Sequence, residues 1–298
     1  MNVFVTGASG FVGSEVLRQL VAAGHTPRCL LRPGSENKLA VRDGVEIHHG
    51  DATVAASLAG ALSGCDAVIH LIGIIREFPG KGITFRQLHV AATENIVDAA
   101  GAQGIRRFLH MSANGTRAGA PSPYHSSKWA AEERVREGDL DWTVFRPSVI
   151  FGPGDGFVTM LADMIRRFPA VPVIGDGQYT FSPIAVSDVA AGFVAALTTP
   201  AAVGQTYHCG GPETLTYDAI LDIIGSALGK KSVTKIHYPL FMMKPVVAML
   251  ERIPAFPLTT SQLTMLLEGN SCDPTPFATA FGRTPEPFAT GVRRYLKA

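Results

Sequence analysis

The chain has 298 residues, enough for one large α/β unit or for a core domain with a smaller one beside it. Its 26 Lys and Arg against 25 Asp and Glu leave a net charge of +1, so no basic excess points to nucleic acid or to an anionic surface. Cys29, Cys65, Cys209 and Cys272 are scattered without the C-x-x-C spacing of a zinc site or redox pair; they read as buried thiols, and no metal is expected.

The first apolar run starts at residue 2, which leaves no room for a secretory leader ahead of it, and a cytoplasmic protein is expected. Short β-branched runs then alternate with helical patterns, predicting strands at 2–6, 27–31, 45–48, 67–72, 107–112 and 142–146. That alternation is the signature of βαβ units: an α/β fold with a doubly wound parallel sheet of the Rossmann kind. A helix over 12–23 is predicted from Val12, Val16, Leu17, Leu20 and Val21 on one stripe, with Gly24 as its stop.

After Arg146-Pro147 the texture turns to Gly- and Pro-rich loops through residue 177, and helices are predicted at 187–197 and 215–228. The domain reading is therefore a dinucleotide-binding domain over 1–150, with 184–200 returning to it, and a smaller substrate or partner lobe from 151–183 and 201–298. The apolar stretch 236–256 is broken by Lys244, Pro245, Glu251 and Arg252, and no run reaches the ~20 apolar residues of a membrane span.

The first strand runs into Gly7-Ala8-Ser9-Gly10-Phe11-Val12-Gly13, a G-x-x-G-x-x-G loop that opens directly into a helix. Gly7 permits a tight turn, Gly10 lets backbone N–H groups near a pyrophosphate, and Gly13 lets the helix pack close to the strand; Ser9, Phe11 and Val12 complete the contact loop. Where an NAD-selective protein usually places an acid at the end of the second strand, this chain has Arg32, which suits a 2′-phosphate and favours NADP(H), with NAD as the alternative. Asp51, followed by Ala52, is placed to meet the adenine or to cap a helix, and Gly73 lets the backbone approach the cofactor.

Tyr124-x-x-x-Lys128 sets a phenol and an ammonium on one helical face. The cation is expected to lower the phenol pKa toward neutrality, fitting Tyr124 for proton transfer while hydride moves to or from a nicotinamide. Ser112, at the end of a predicted strand, is placed to hydrogen-bond the reacting oxygen. The catalytic candidates are thus Ser112, Tyr124 and Lys128.

The glycine loop, Asp51, Ser112, Tyr124-x-x-x-Lys128 and the segment from Arg146-Pro147 to Asp155 together resemble the extended and atypical short-chain dehydrogenase/reductases, the NAD-dependent epimerase/dehydratase superfamily. Residues 73–77, 84–90 and 257–263 resemble more narrowly the branch holding the NADPH-carrying accessory subunit of mitochondrial complex I and its bacterial relatives. The resemblance implies a C-terminal substrate lobe, cofactor contacts from the glycine loop, Arg32, Asp51, Tyr124 and Lys128, and Pro147 near the nicotinamide.

It also implies either an active oxidoreductase or isomerase on an unknown small molecule, or a silent nucleotide-binding protein docked to a larger complex at the periphery of the inner membrane. A homodimer is a further implication. Two departures stand out. His89 occupies a position where many relatives carry Asn, and residues 181–188 lack the arginine with which sugar-nucleotide enzymes clamp a diphosphate.

Overall fold

Val3, Phe4, Val5 and Thr6 are fully buried in β1 (Asn2–Thr6), the strand from which the sheet is laid out in a computed structural model that describes residues 1–251, 253 and 258–296. Arg252, Phe256 and Pro257, which enter the sequence reading, lie outside the described residues. After β1 the chain forms α1 (Phe11–Ala22), β2 (Thr26–Leu31), β3 (Glu46–His49) and β4 (Ala67–His70). A π-helical turn over Arg86–Ala91 leads into α2 (Ala92–Ala102), then β5 (Arg107–Met111), α3 (Pro123–Glu137) and β6 (Asp141–Pro147). All six strands expected in this half are present, shifted by a residue or two at their ends.

From Ser148 the chain leaves the sheet through β7 (Ile150–Phe151), α4 (Phe157–Arg167), β8 (Val171–Ile174), β9 (Thr180–Phe181) and β10 (Ile184–Ala185). It returns in α5 (Val186–Ala196) and β11 (Gln205–Cys209). The remainder comprises β12 (Leu215–Thr216), α6 (Tyr217–Ala227), β13 (Lys235–Tyr238), α7 (Leu240–Leu250), α8 (Thr260–Glu268), α9 (Thr275–Ala280) and α10 (Phe288–Tyr295).

Seven strands make one sheet in the order β11-β6-β5-β4-β1-β2-β3, and every pairing from β6 to β3 is parallel. A parallel sheet is covered on both faces, which is why β4 is buried at all four positions rather than at alternate ones. Gln19 of α1 ties that helix to α5 by donating to the Ser187 carbonyl at 3.0 Å. Phe4, Val68, Ile96, Phe108 and Val135 share a core cluster between sheet, α2 and α3.

The chain divides into two compact units: Met1–Pro147 with Val186–His208 and Thr275–Arg283, and Ser148–Ala185 with Cys209–Pro274 and Thr284–Ala298. Residues 275–283, assigned from sequence to the smaller lobe, belong to the first unit because Phe277 packs within ring distance of Phe145 and fills the space over Gly192, where a Cβ would lie 2.5 Å from it. In the second unit the stretch read as loops contains α4, whose Val158, Leu161, Ala162 and Ile165 form a buried stripe against Ile220 and Ile224 of α6. Asp155 anchors its start by accepting from Val158 N at 2.7 Å, and Tyr295 donates to the same carboxylate at 2.6 Å. No helix among the described residues is long and apolar enough to cross a membrane.

Candidate active site

The turn from β1 to α1 is built by backbone, not side chains. Gly7 has φ +75, and a Cβ on it would come 3.0 Å from the Leu71 carbonyl carbon at the end of β4. A Cβ on Gly13 would sit 2.0 Å from the Gly7 oxygen, so the first turn of α1 lies directly against the loop. Gly10 is the N-cap, offers no capping side chain, and the first turn holds no acid, which leaves its N–H groups and the positive end of the helix dipole for an outside anion. Ser9 and Phe11 are half-buried at this loop, whereas Val12 points into the core and has only its backbone to offer. The cradle fits a dinucleotide pyrophosphate: its clearances admit backbone and ligand oxygens but no Cβ.

Arg32 stands exposed one residue beyond β2. Asp51 accepts from Thr53 N at 2.9 Å and Thr53 Oγ1 at 2.7 Å through one oxygen, so half of its carboxylate is committed to the local turn. Ala52 is buried and held to α2 by Asn95 Nδ2, which donates to its carbonyl at 2.8 Å.

Lys128 crosses from α3 to the carboxyl ends of β4 and β5, where open α/β sheets bind ligands. Only 2% exposed, its ammonium donates to the carbonyls of Met111 at 3.1 Å and Ile72 at 3.3 Å. Burial pushes it down to about 8, partly offset by the carboxylate of Glu132 one turn on. A Cβ on Gly73 would lie 2.9 Å from Nζ, so a glycine is required there for the lysine to reach the strand ends.

Tyr124, one turn earlier on α3, is half-buried among aromatic rings: Phe85 at 5.8 Å, His89 at 5.4 Å and His125 at 5.3 Å between centroids. The pKa expected from the lysine is corrected here. Burial among these rings disfavours the phenolate and raises the phenol to about 12.

Ser112, just past β5 and 3% exposed, donates its hydroxyl to Thr116 Oγ1 at 3.3 Å and its backbone N–H to the Phe145 carbonyl at 2.7 Å. Pro147 closes β6, and its carbonyl accepts from Asn114 N at 2.9 Å. Arg146 grips Glu132 in a two-pronged ion pair, Nε at 2.9 Å and Nη2 at 2.6 Å, which fixes the Tyr124–Lys128 helix to β6.

Sequence reasoning marked His89 only as standing where relatives carry Asn, and it did not place His70 and His110 at the site. His70 on β4 receives Thr6 at Nδ1, 2.7 Å, and meets Thr93 at Nε2, 3.1 Å; it stacks on His110 of β5 at 5.5 Å. His89 lies within the π-helical turn and bonds Ser127 of α3 at 2.8 Å. Burial lowers His70 to about 3 and His89 to about 2, with the Lys128 charge adding to both, so these rings are neutral. Among the described residues no group of His, Cys, Asp and Glu is arranged to hold a metal.

A doubly wound sheet in this strand order, with its glycine cradle at the first βα turn, defines a nicotinamide-dinucleotide Rossmann protein of the extended short-chain dehydrogenase/reductase kind. The model of the NAD dependent epimerase/dehydratase family matches residues 3–210, and the chain belongs to that family.

Among curated relatives, it is 29% identical over 278 residues to the NADH dehydrogenase [ubiquinone] 1 alpha subcomplex subunit 9, mitochondrial, of Arabidopsis thaliana, covering 90% of this chain and 68% of that one. It is 32% identical over 198 residues to the ceramide reductase of Caulobacter vibrioides, covering 66% of this chain and 61% of that protein's length. The UDP-glucose 4-epimerase structure from Thermotoga maritima superposes with a TM-score of 0.76 over 98% of this chain and 96% of that one; at 18% identity the likeness is one of fold.

Proposed function

We propose that the protein is an NADP(H)-preferring oxidoreductase in which Tyr124 exchanges a proton with a carbonyl or hydroxyl oxygen of a small, largely apolar substrate. The observation that carries this reading is the buried Lys128 ammonium. Desolvating a lysine is costly, and here its ammonium donates to two backbone carbonyls, with no carboxylate of the described residues within ion-pair distance, at the strand ends beside a glycine that makes room for it.

The bound dinucleotide supplies or accepts the hydride. Gly7, Ser9, Gly10, Phe11, Val12 and Gly13 would hold its pyrophosphate, Arg32 would meet the 2′-phosphate, Asp51 and Ala52 would serve the adenine, and Gly73 and Pro147 would serve the nicotinamide end. With its phenol near 12, Tyr124 carries a proton at neutral pH and is suited to hand it to a developing alkoxide, while Ser112 donates to the same oxygen. Lys128, charged below about 8, stabilises the phenolate so formed. The aromatic cage around Tyr124 and the reductase relative support an apolar carbonyl substrate.

Turnover in the reducing direction should therefore fall as pH rises through about 8, where Lys128 loses its charge. A profile flat to higher alkalinity would count against the lysine's role. The cofactor assignment is tested by fluorescence titration with NADPH and NADH. Arg32→Ala should weaken NADPH by roughly tenfold to a hundredfold, the worth of a charge-assisted hydrogen bond, and leave NADH unchanged. Preference for NADH, unaltered in the variant, would overturn it.

A second reading is favoured by the likeness across 90% of the chain to a protein named as a complex I subunit. In it the nucleotide is structural or redox-sensing and the chain docks to a partner complex at a membrane periphery. α7 presents Phe241, 77% exposed, and Met249, 70% exposed, on an outward stripe with Met242 and Val246, which would suit such a contact.

A further inference from the structure

His89 stands at the junction of three segments that the proposed chemistry must keep in register. It sits in the π-helical turn Arg86–Ala91, a rare widened turn of the kind found at functional sites, and is 1% exposed. Its ring stacks on Phe85 at 5.2 Å and 21° and stands edge-on to Tyr124 at 5.4 Å and 84°.

Hydrogen-bond contacts tie the ring on both sides. Ser127 donates its hydroxyl to the Tyr124 carbonyl at 2.7 Å, and its oxygen lies 2.8 Å from His89 Nδ1. Nε2 lies 3.0 Å from the Ile74 N and 3.1 Å from the Ile74 carbonyl oxygen, so with or without a proton that nitrogen finds a partner on Ile74. A Cβ on Gly73 would lie 3.6 Å from Nε2 and 2.9 Å from Lys128 Nζ, which brings imidazole, lysine and loop to one point.

We propose that His89 is a positioning residue: its imidazole fastens the Gly73–Ile74 loop to the Tyr124–Lys128 turn of α3 and so fixes the nicotinamide half of the dinucleotide site. Burial, with the neighbouring Lys128 charge behind it, keeps the ring neutral against the smaller opposing effect of its bond to the Ile74 backbone. His70 and His110 are neutral for the same reasons and add no competing charge. One ring thus replaces two independent contacts, one to the strand-end loop and one to the helix.

The inference rests on the dinucleotide site proposed above, and its test separates the two halves of the ligand. NADPH and adenosine 2′,5′-bisphosphate, which lacks the nicotinamide, are titrated against wild type, His89→Ala, His89→Asn and Ser127→Ala. His89→Ala should weaken NADPH by about tenfold, lose the fluorescence enhancement of the bound nicotinamide, and leave the bisphosphate within about twofold.

His89→Asn keeps a donor toward Ser127 but does not reach Ile74, and Ser127→Ala removes the opposite arm, so both should fall between. Equal weakening of both ligands would make His89 mere packing, and no change in either would also overturn the proposal. If His89→Ala does not fold, the other two variants decide on the same criteria. Failure of the catalytic reading would appear elsewhere, as unchanged turnover in Tyr124→Phe, whatever the two ligands show at His89.

Discussion

His70, His89 and His110 lie in the same buried region, and all three are held neutral by burial. An unfolded chain binds a proton at each near pH 6.5, whereas the folded chain does not until pH falls to about 3 or below for His70 and His89. Below 6.5 the unfolded state therefore binds more protons, and stability falls with falling pH. His70 and His89 each cost about 1.4 kcal/mol per pH unit, so the two together cost about 4 kcal/mol by pH 5, and His110 adds in the same direction, against the ~5–15 kcal/mol that holds a domain folded.

Loss of the fold as pH falls from 6.5 toward 4 is expected in a circular-dichroism titration; a curve flat from 7 to 4 would contradict it. Neither ring nitrogen of His110 has a protein partner. His110→Leu should accordingly stabilise the fold by about 1–3 kcal/mol and reduce the acid slope by about a third. The pair Tyr124 and Lys128 was legible from the sequence because helical spacing is local. The His89–Ser127 bond spans 38 positions and three segments, and no periodicity reports it.

At the scale of elements, the glycine loop carries the largest consequences for substitution. The atoms that a Cβ on Gly13 would strike are backbone, the Gly7 oxygen at 2.0 Å and Ala8 Cα at 2.8 Å, and neither can swing aside. Gly13→Ala should cost about 1–3 kcal/mol by forcing α1 off the loop, with loss of NADPH binding in the same titration. A variant that binds NADPH normally would refute the close approach.

The strand–loop–helix unit was readable because its glycines, apolar stripe and stop signal all agree. The π-helical turn was not, because widening by one residue leaves the composition unchanged. α4 was obscured by the turn-rich segments on both sides, although Val158, Leu161, Ala162 and Ile165 do repeat at helical spacing. β8 and β13 pair across more than sixty residues, Val171 with Lys235, and such short strands carry no signal of their own partner.

Across the whole molecule the fold class followed from the order of strands and helices, whereas the division into units did not follow the chain. Thr275–Arg283 joins the first unit through contacts of Phe277 and Phe281 with Phe145, which only a folded chain brings together. The outward face of α7 separates the two functional readings. Phe241→Ser with Met249→Ser should change stability by no more than about 0.5 kcal/mol, since both side chains are exposed, and should leave turnover intact if the protein acts as an enzyme.

The most direct measurement is NADPH oxidation by wild type and Tyr124→Phe against a panel of apolar aldehydes and ketones, with NADPH affinity measured in parallel. The account predicts a fall in turnover of roughly 10²- to 10⁴-fold, the usual worth of a positioned acid, at unchanged affinity. Equal turnover in the two proteins would contradict it and bring the docked, structural nucleotide to the fore.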